Sequence, residues 1–165
     1  MVSWLHAAST NHACNRNCSG IFLRMRVGIT FGAFDLLHAG HCLMLQEAKS
    51  QCDYLIVGLQ TDPTIDRPQK NKPVQSLVER YIQLKAISVV DEIIPYQTEA
   101  ELLEIIKAIP IDVRIIGADY LNKDFTGKDL ADELGIETYY NRRDHAFSTT
   151  DLRLRVWENE LTKAK

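Results

Sequence analysis

From Arg26 onward, five short runs rich in β-branched and aromatic residues alternate with five segments whose apolar residues recur at helical spacing. The strand-like runs cover residues 26–30, 54–59, 92–95, 113–117 and 137–140. The helical patterns cover 41–50, 75–87, 99–108, 127–134 and 149–161. Few folds accommodate such an alternation. Each strand must reach a parallel neighbour through a crossover, and a helix long enough to make that crossover lies on one face of the sheet. The pattern predicts an α/β domain, a Rossmann-like three-layer open sheet of five parallel strands with helices on both faces. In such sheets ligands bind beyond the carboxyl ends of the strands, near the point where the strand order reverses.

The unusual residues of the chain fall at that edge. His38 and His41 follow the first strand, Lys70 and Lys72 the second, Asp119 the fourth, and Arg143 with Ser148, Thr149 and Thr150 the fifth. Residues 66–73 form a polar, proline-bounded loop of the kind that orders over a ligand. A formal net charge of −3 excludes a global field that would gather nucleic acid or an anionic membrane. Anion binding must then come from a local cluster, for which Lys70, Lys72, Arg80, Arg142 and Arg143 are the candidates.

With 165 residues, 45% of them hydrophobic, the chain can bury one sizeable core. Residues 1–24 show neither alternation nor a helical stripe and are expected to be a poorly ordered extension, leaving 25–165 as the domain. Met25 immediately precedes the first strand and is the expected natural start of synthesis. His12, Cys14 and Cys18 are three loosely spaced ligand types with no fourth, which does not make a zinc site. The four cysteines do not form the dense set of a disulfide scaffold. No run reaches the roughly 20 apolar residues of a membrane helix, and no secretory core opens the chain. A cytoplasmic protein without membrane or nucleic-acid partners is expected.

The segment Phe34-Asp35-Leu36-Leu37-His38-Ala39-Gly40-His41 carries the chemistry. His38 and His41 are three apart, so both imidazoles project from one face of the first turn of a helix and can reach one ligand. Gly40 adds no side chain, so a phosphate could approach the main chain, where unpaired amides and the helix dipole favour an anion.

On these residues the chain resembles the cytidylyltransferase-like nucleotidyltransferases, particularly the bacterial glycerol-3-phosphate cytidylyltransferase branch, over residues 26–157. The resemblance implies that His38 and His41, as a His-x-Gly-His motif, bind a nucleoside triphosphate and stabilise the transferring α-phosphoryl group. Ala33 and Phe34 match the turn before the motif. A second match is Arg143-Asp144-His145-Ala146-Phe147-Ser148-Thr149-Thr150, where the arginine and the Ser-Thr-Thr are retained at the family separation. The resemblance gives Arg143 a catalytic role beside His38 and His41, and gives Ser148, Thr149 and Thr150 the β and γ phosphates. Arg80 matches a family arginine that approaches the phosphates, and Lys70 and Lys72 match loop lysines loosely. Asp119 matches an aspartate that recognises the cytosine amino group.

The reaction implied by the resemblance is a CMP transfer from CTP to a small phosphorylated acceptor, with pyrophosphate released and Mg²⁺ bound mainly through the triphosphate. A homodimer is implied by the resemblance alone. Two cations of the glycerol-phosphate branch are missing, at Ser88 and at about Leu102, so transfer is better supported than glycerol 3-phosphate as acceptor. The competing readings are adenylyl transfer from ATP, for which Ser148-Thr149-Thr150 followed by Arg153 is also suited, a non-catalytic nucleotide-binding module, and a flavodoxin-like electron carrier.

Overall fold

A computed structural model describes residues 24–142 and 144–163. The expectations for the N-terminal extension, for the ligand types at 12, 14 and 18, and for Arg143 lie outside the described residues, apart from Arg24, which pairs with Asp112 at 3.1 Å.

The elements follow the predicted alternation: β1 (Val27–Gly32), α1 (Ala39–Lys49), β2 (Tyr54–Gln60), α2 (Leu77–Lys85), β3 (Glu92–Tyr96), α3 (Glu99–Ala108), β4 (Val113–Gly117), α4 (Lys128–Glu133), β5 (Glu137–Asn141) and α5 (Thr149–Lys163). A short 3₁₀ turn, Ala118–Tyr120, follows β4. The strands form one parallel sheet in the order β3-β2-β1-β4-β5. The chain therefore works outward from β1 to β3, then crosses back to β4 on the far side of β1. The switch point lies between β1 and β4, and both strands end beneath the same crevice.

The central strands are apolar on both faces because helices cover both. Leu55, Val57 and Leu59 of β2 join Val113 and Ile115 of β4 in a core closed by Leu45 and Ala48 of α1 and Leu84 of α2. Ile29 and Ile56 point the other way and pack with Leu102 and Ile106 of α3 and Ala131 of α4. Leu45 is fully buried, and truncating such a side chain to alanine typically costs about 2–5 kcal/mol. Most helix starts are capped locally. Ser76 and Glu79 form a reciprocal capping box at α2, and Thr98 caps α3, which satisfies amides that a helix leaves open at its first turn. Among the described residues, no helix is long and apolar enough to cross a membrane.

Candidate active site

A cavity of about 1040 Å³ opens over the carboxyl ends of the strands. Its wall on the α1 face of the sheet is built by the β1–α1 turn. Phe34 and Leu36 take left-handed backbone conformations, with φ of 49° and 50°, which non-glycine residues adopt at a cost and which must be held by their surroundings. Three side chains hold them. Asp35 accepts from the Gln75 amide at 2.9 Å, Gln75 Oε1 accepts from the Leu36 amide at 2.7 Å, and Arg80 donates to the Ala33 carbonyl at 2.7 Å. Asp35 also forms an ion pair with Arg153 of α5, so the first turn of the domain is tied to its last helix. Burial acts to raise the Asp35 pKa, but the amides of Gln75 and Val74 and the Arg153 guanidinium outweigh it and hold the carboxyl below its ordinary value.

The two histidines form the capping box of α1. The Gly40 amide donates to His38 Nδ1 at 3.0 Å, and the His38 amide donates to His41 Nδ1 at 3.4 Å. The rings stack with centroids 4.0 Å apart. This arrangement corrects the expectation that Gly40 exposes main chain to a phosphate. Its amide is already bonded, and a Cβ at that position would lie 2.8 Å from the His145 ring and 2.9 Å from His38. The capping has a second effect. An amide always donates, so both Nδ1 atoms are acceptors, and in each neutral ring the proton sits on Nε2. Backbone geometry thus fixes both imidazoles in the tautomer that offers an N–H donor at the outer nitrogen. His38 Nε2 faces Thr149 Oγ1 at 3.3 Å, and His41 lines the cavity.

Burial lowers the His41 pKa to about 4, helped by the adjacent His38 ring and opposed by Asp35. His41 is therefore neutral at pH 7. The native protein refuses a proton that the unfolded chain accepts below the ordinary value of 6.5, so stability falls as pH drops from about 6.5 towards 4. The size of that loss is on the order of 3 kcal/mol. Asp35 acts in the same direction at lower pH, because its depressed pKa gives stability that is present above the unfolded value and lost as pH falls through the folded one. The melting temperature is expected to fall across this window, and to fall less in His41→Gln, as thermal denaturation at stepped pH would show.

Of the other sequence candidates, Ala33, Phe34, Lys70, Thr149 and Thr150 line the cavity. Arg80 does not, contrary to expectation. It is only 2% exposed, and it donates to the carbonyls of Gln75, Ala33, Gln60 and Thr61 at 3.2, 2.7, 2.7 and 2.7 Å. Four of its five N–H donors are committed to backbone, which makes it a positioning residue and removes it from the phosphates. Asp119 is exposed on the 3₁₀ turn, outside the cavity wall, with its carboxylate folded against Gly117. Ser148 accepts from the Asp151 amide at 3.0 Å as a cap of α5 and is not in the wall. Lys72 also stays outside it and pairs with Asp62 at 3.7 Å, its side chain 78% exposed.

On the opposite wall, sequence reasoning reached Arg67 only as part of the 66–73 loop and gave no site role to Gln60, Glu99 or Arg114. Gln60, Arg67 and Glu99 form a linked set there. Arg67 Nη2 donates to Gln60 Oε1 at 2.8 Å and pairs with Glu99 Oε1 at 3.0 Å. Arg114 lies deeper, between Phe31 and Phe125, its guanidinium carbon 5.4 and 4.9 Å from the two ring centroids. The one signal in the sequence was a charged residue inside the apolar run of β4, since strands covered on both faces rarely carry one. Among the described residues no group of three or more His, Cys, Asp or Glu side chains could hold a metal ion. The cationic groups of the wall are those of arginine and lysine, which form charge-assisted hydrogen bonds with oxyanions.

Known proteins are similar to this chain in sequence or in fold. The chain is 37% identical over 128 residues to the bifunctional protein HldE of Helicobacter pylori (strain HPAG1), covering 77% of this chain and 27% of that protein. Identity to HldE of Caulobacter vibrioides is 38% over 133 residues, again 27% of the relative, so the chain spans about a quarter of the length of these proteins. Among solved structures, the lipopolysaccharide core biosynthesis protein of Thermoplasma volcanium superposes with a TM-score of 0.59 at 25% identity, over 73% of this chain and all of that one. A structure described as a nicotinate-nucleotide adenylyltransferase from Vibrio parahaemolyticus shares the fold, with a TM-score of 0.53 at 19% identity over 82% of this chain and 89% of that one. Residues 29–155, from the first strand to the last helix, match the cytidylyltransferase-like family, and with the paired histidines at the switch point, this chain belongs to that family of nucleotidyltransferases.

Proposed function

We propose that the protein transfers a nucleotidyl group from a nucleoside triphosphate to a small phosphorylated acceptor and releases pyrophosphate. The observation that carries this reading is the pair of capped histidines, whose shared tautomer gives His41, in the cavity wall, an Nε2–H donor where a triphosphate would enter and sets His38 Nε2 against Thr149. An oxygen of the acceptor phosphate attacks the α-phosphorus in line. The bond from that phosphorus to the bridging oxygen breaks, and its electron pair leaves on pyrophosphate. His38 and His41 stabilise charge on the α-phosphoryl oxygens by preorganised hydrogen bonds, with no covalent enzyme intermediate. Mg²⁺, when bound with the triphosphate, neutralises charge on its phosphate oxygens. Thr149, Thr150 and Arg153 hold the leaving pyrophosphate, with Arg143 proposed as a further cation for it. The acceptor phosphate is already anionic, so no general base is assigned.

CTP is the donor we favour, on the family assignment and the resemblance of the sequence. ATP is a second reading. It is favoured by the placement of Asp119 outside the cavity wall, where it cannot single out cytosine, and by Arg153 lining the cavity beside Thr149 and Thr150. The name of the Thermoplasma relative, a lipopolysaccharide core biosynthesis protein, supports a sugar or polyol phosphate as acceptor. Pyrophosphate release with CTP or ATP across phosphorylated polyols, sugars, choline and ethanolamine tests both readings. Release with CTP alone supports cytidylyl transfer, and release with ATP alone establishes adenylyl transfer in its place. Nucleotide binding without release from any acceptor would identify a sensor. Under either donor, Asp119→Asn is expected to change nucleotide KM by less than about twofold, as befits an exposed substitution. For the homodimer, the exposed apolar pair Val78 and Ile82 on α2 is the surface we favour, and sedimentation of Val78→Glu tests it.

A further inference from the structure

The α3–α4 side of the cavity contains a cation that meets no hydrogen-bond partner at Nη1 among the described residues. Arg114 is 4% exposed, and its Nη1 is a buried donor with no partner. It makes no ion pair among the described residues. Its nearest neighbours are the faces of Phe31 and Phe125 and the backbone of Gly127, where a Cβ would come within 3.0 Å of Nη1. Glu99, the carboxylate facing the same space, is already paired with Arg67. Burial lowers the Arg114 pKa only to about 10, so the group remains charged at pH 7.

A buried guanidinium nitrogen without a hydrogen-bond partner opposes folding, and contact with two aromatic rings only partly offsets that cost. An arginine whose only task was to fill this space would be outperformed by methionine or leucine. Its planar donors are instead suited to a ligand oxyanion, which it can bind in a bidentate fork inside a water-poor pocket. The ligand on this side differs from the nucleotide at the histidines. Arg114 projects to the α3–α4 face, with Phe31 and Tyr96, whereas His38 and His41 stand on α1, which covers the opposite face. Arg67 reinforces the choice, since its Nε is likewise a buried donor without a partner in the same wall.

We propose that Arg114, assisted by Arg67, is the residue that binds an oxyanion of the acceptor, and that this wall selects for a phosphate or carboxylate on the acceptor molecule. The assignment of that anion to the acceptor rests on the proposed nucleotidyl transfer; the anion site itself does not.

The test uses the full chain loaded with the α,β-methylene analogue of CTP or ATP, which occupies the nucleotide side and cannot react. Glycerol 3-phosphate, 3-phosphoglycerate and neutral glycerol are then titrated and followed by thermal shift and calorimetry. The wild type is expected to bind the two anions and not glycerol, and tighter binding of 3-phosphoglycerate would identify a carboxylate as the preferred group. Arg114→Met is expected to weaken anion binding at least about tenfold, with analogue affinity unchanged within about twofold. Its melting temperature without ligand should equal or exceed that of the wild type, because an unpaired buried charge has been removed. Arg114→Lys, which keeps the charge and loses the fork, should retain part of the binding.

The proposal is overturned if Arg114→Met melts several degrees lower, which would make Arg114 a packing residue. It is also overturned if anion binding survives the substitution, if analogue affinity falls in parallel, or if the wild type binds neither anion. Should both analogues fail to bind while Arg114→Met still abolishes anion binding to the unloaded protein, the transfer reading falls and the anion site stands.

Discussion

His41→Ala is expected to lower turnover by about a hundred- to a thousand-fold, the usual result of deleting one preorganised donor to a transition-state oxyanion. The protein should remain folded. His41 occupies the third position of α1 and completes a capping box, so its loss removes one capping interaction worth about 1 kcal/mol. Removing a neutral, half-buried ring from the surface of the cavity leaves no charge unpaired, since His41 is already unprotonated at pH 7. Steady-state pyrophosphate release, with circular dichroism and the melting temperature measured on the same sample, separates the two effects. A folded variant with near-normal turnover would refute the catalytic role. A variant that loses turnover only in proportion to unfolded protein would reduce His41 to a helix cap.

Arg80→Met is expected to have the largest effect on stability, and to act on the site only through it. Four carbonyls, from three different segments, converge on this guanidinium. Methionine fills much of the volume but leaves those acceptors buried without donors. The expected loss is about 3 to 5 kcal/mol, the range for breaking a buried charged hydrogen-bonded group. That is comparable to much of the roughly 5–15 kcal/mol that stabilises an ordinary domain. Urea denaturation should show a large fall in midpoint. Any folded fraction should keep its KM for nucleotide far better than a phosphate-binding residue would allow, because Arg80 is outside the cavity wall. A stable variant with a selectively raised nucleotide KM would return Arg80 to the phosphates.

The contrast between Arg80 and His41 shows what the sequence could and could not reveal. Five strands and their helices were legible because hydrophobic periodicity follows directly from which faces are covered, and the strand limits differ from the pattern by only a residue or two. The cavity position was legible for the same reason, since parallel topology sends every loop after a strand to one edge. The assignment of Arg80 was not. A helix bearing an arginine looks the same from the sequence whether the side chain points to solvent, to a phosphate or back under a neighbouring turn, and only the tertiary course of residues 33–35 and 60–61 decides it. Asp119 missed the wall for a related reason: the 3₁₀ turn after β4 rotates it outward, and local sequence does not set that rotation. Gly40 looks like an open approach in the sequence because its own lack of a side chain is visible there, while the His145 ring above it comes from a segment about a hundred positions later. Asp35 and Arg114 carried a usable signal, each being a charge beside or within an apolar run, but a signal of burial does not name the partner.

The ion pair between Asp35 and Arg153 joins positions separated by 118 residues. Its consequence concerns the order in which the molecule becomes competent. The sheet already requires one distant pairing, β1 with β4, and the side of the cavity proposed for phosphate is complete only when α5 docks and brings Thr149, Thr150 and Arg153 to the β1–α1 turn. Contacts of such long sequence separation form late, because the chain must first give up the entropy of closing the loop between them. A chain still emerging from the ribosome would hold its histidines in place without α5 beside them. Nucleotide capture then depends on the docking of α5, and a refolding experiment should show sheet formation before the return of triphosphate binding.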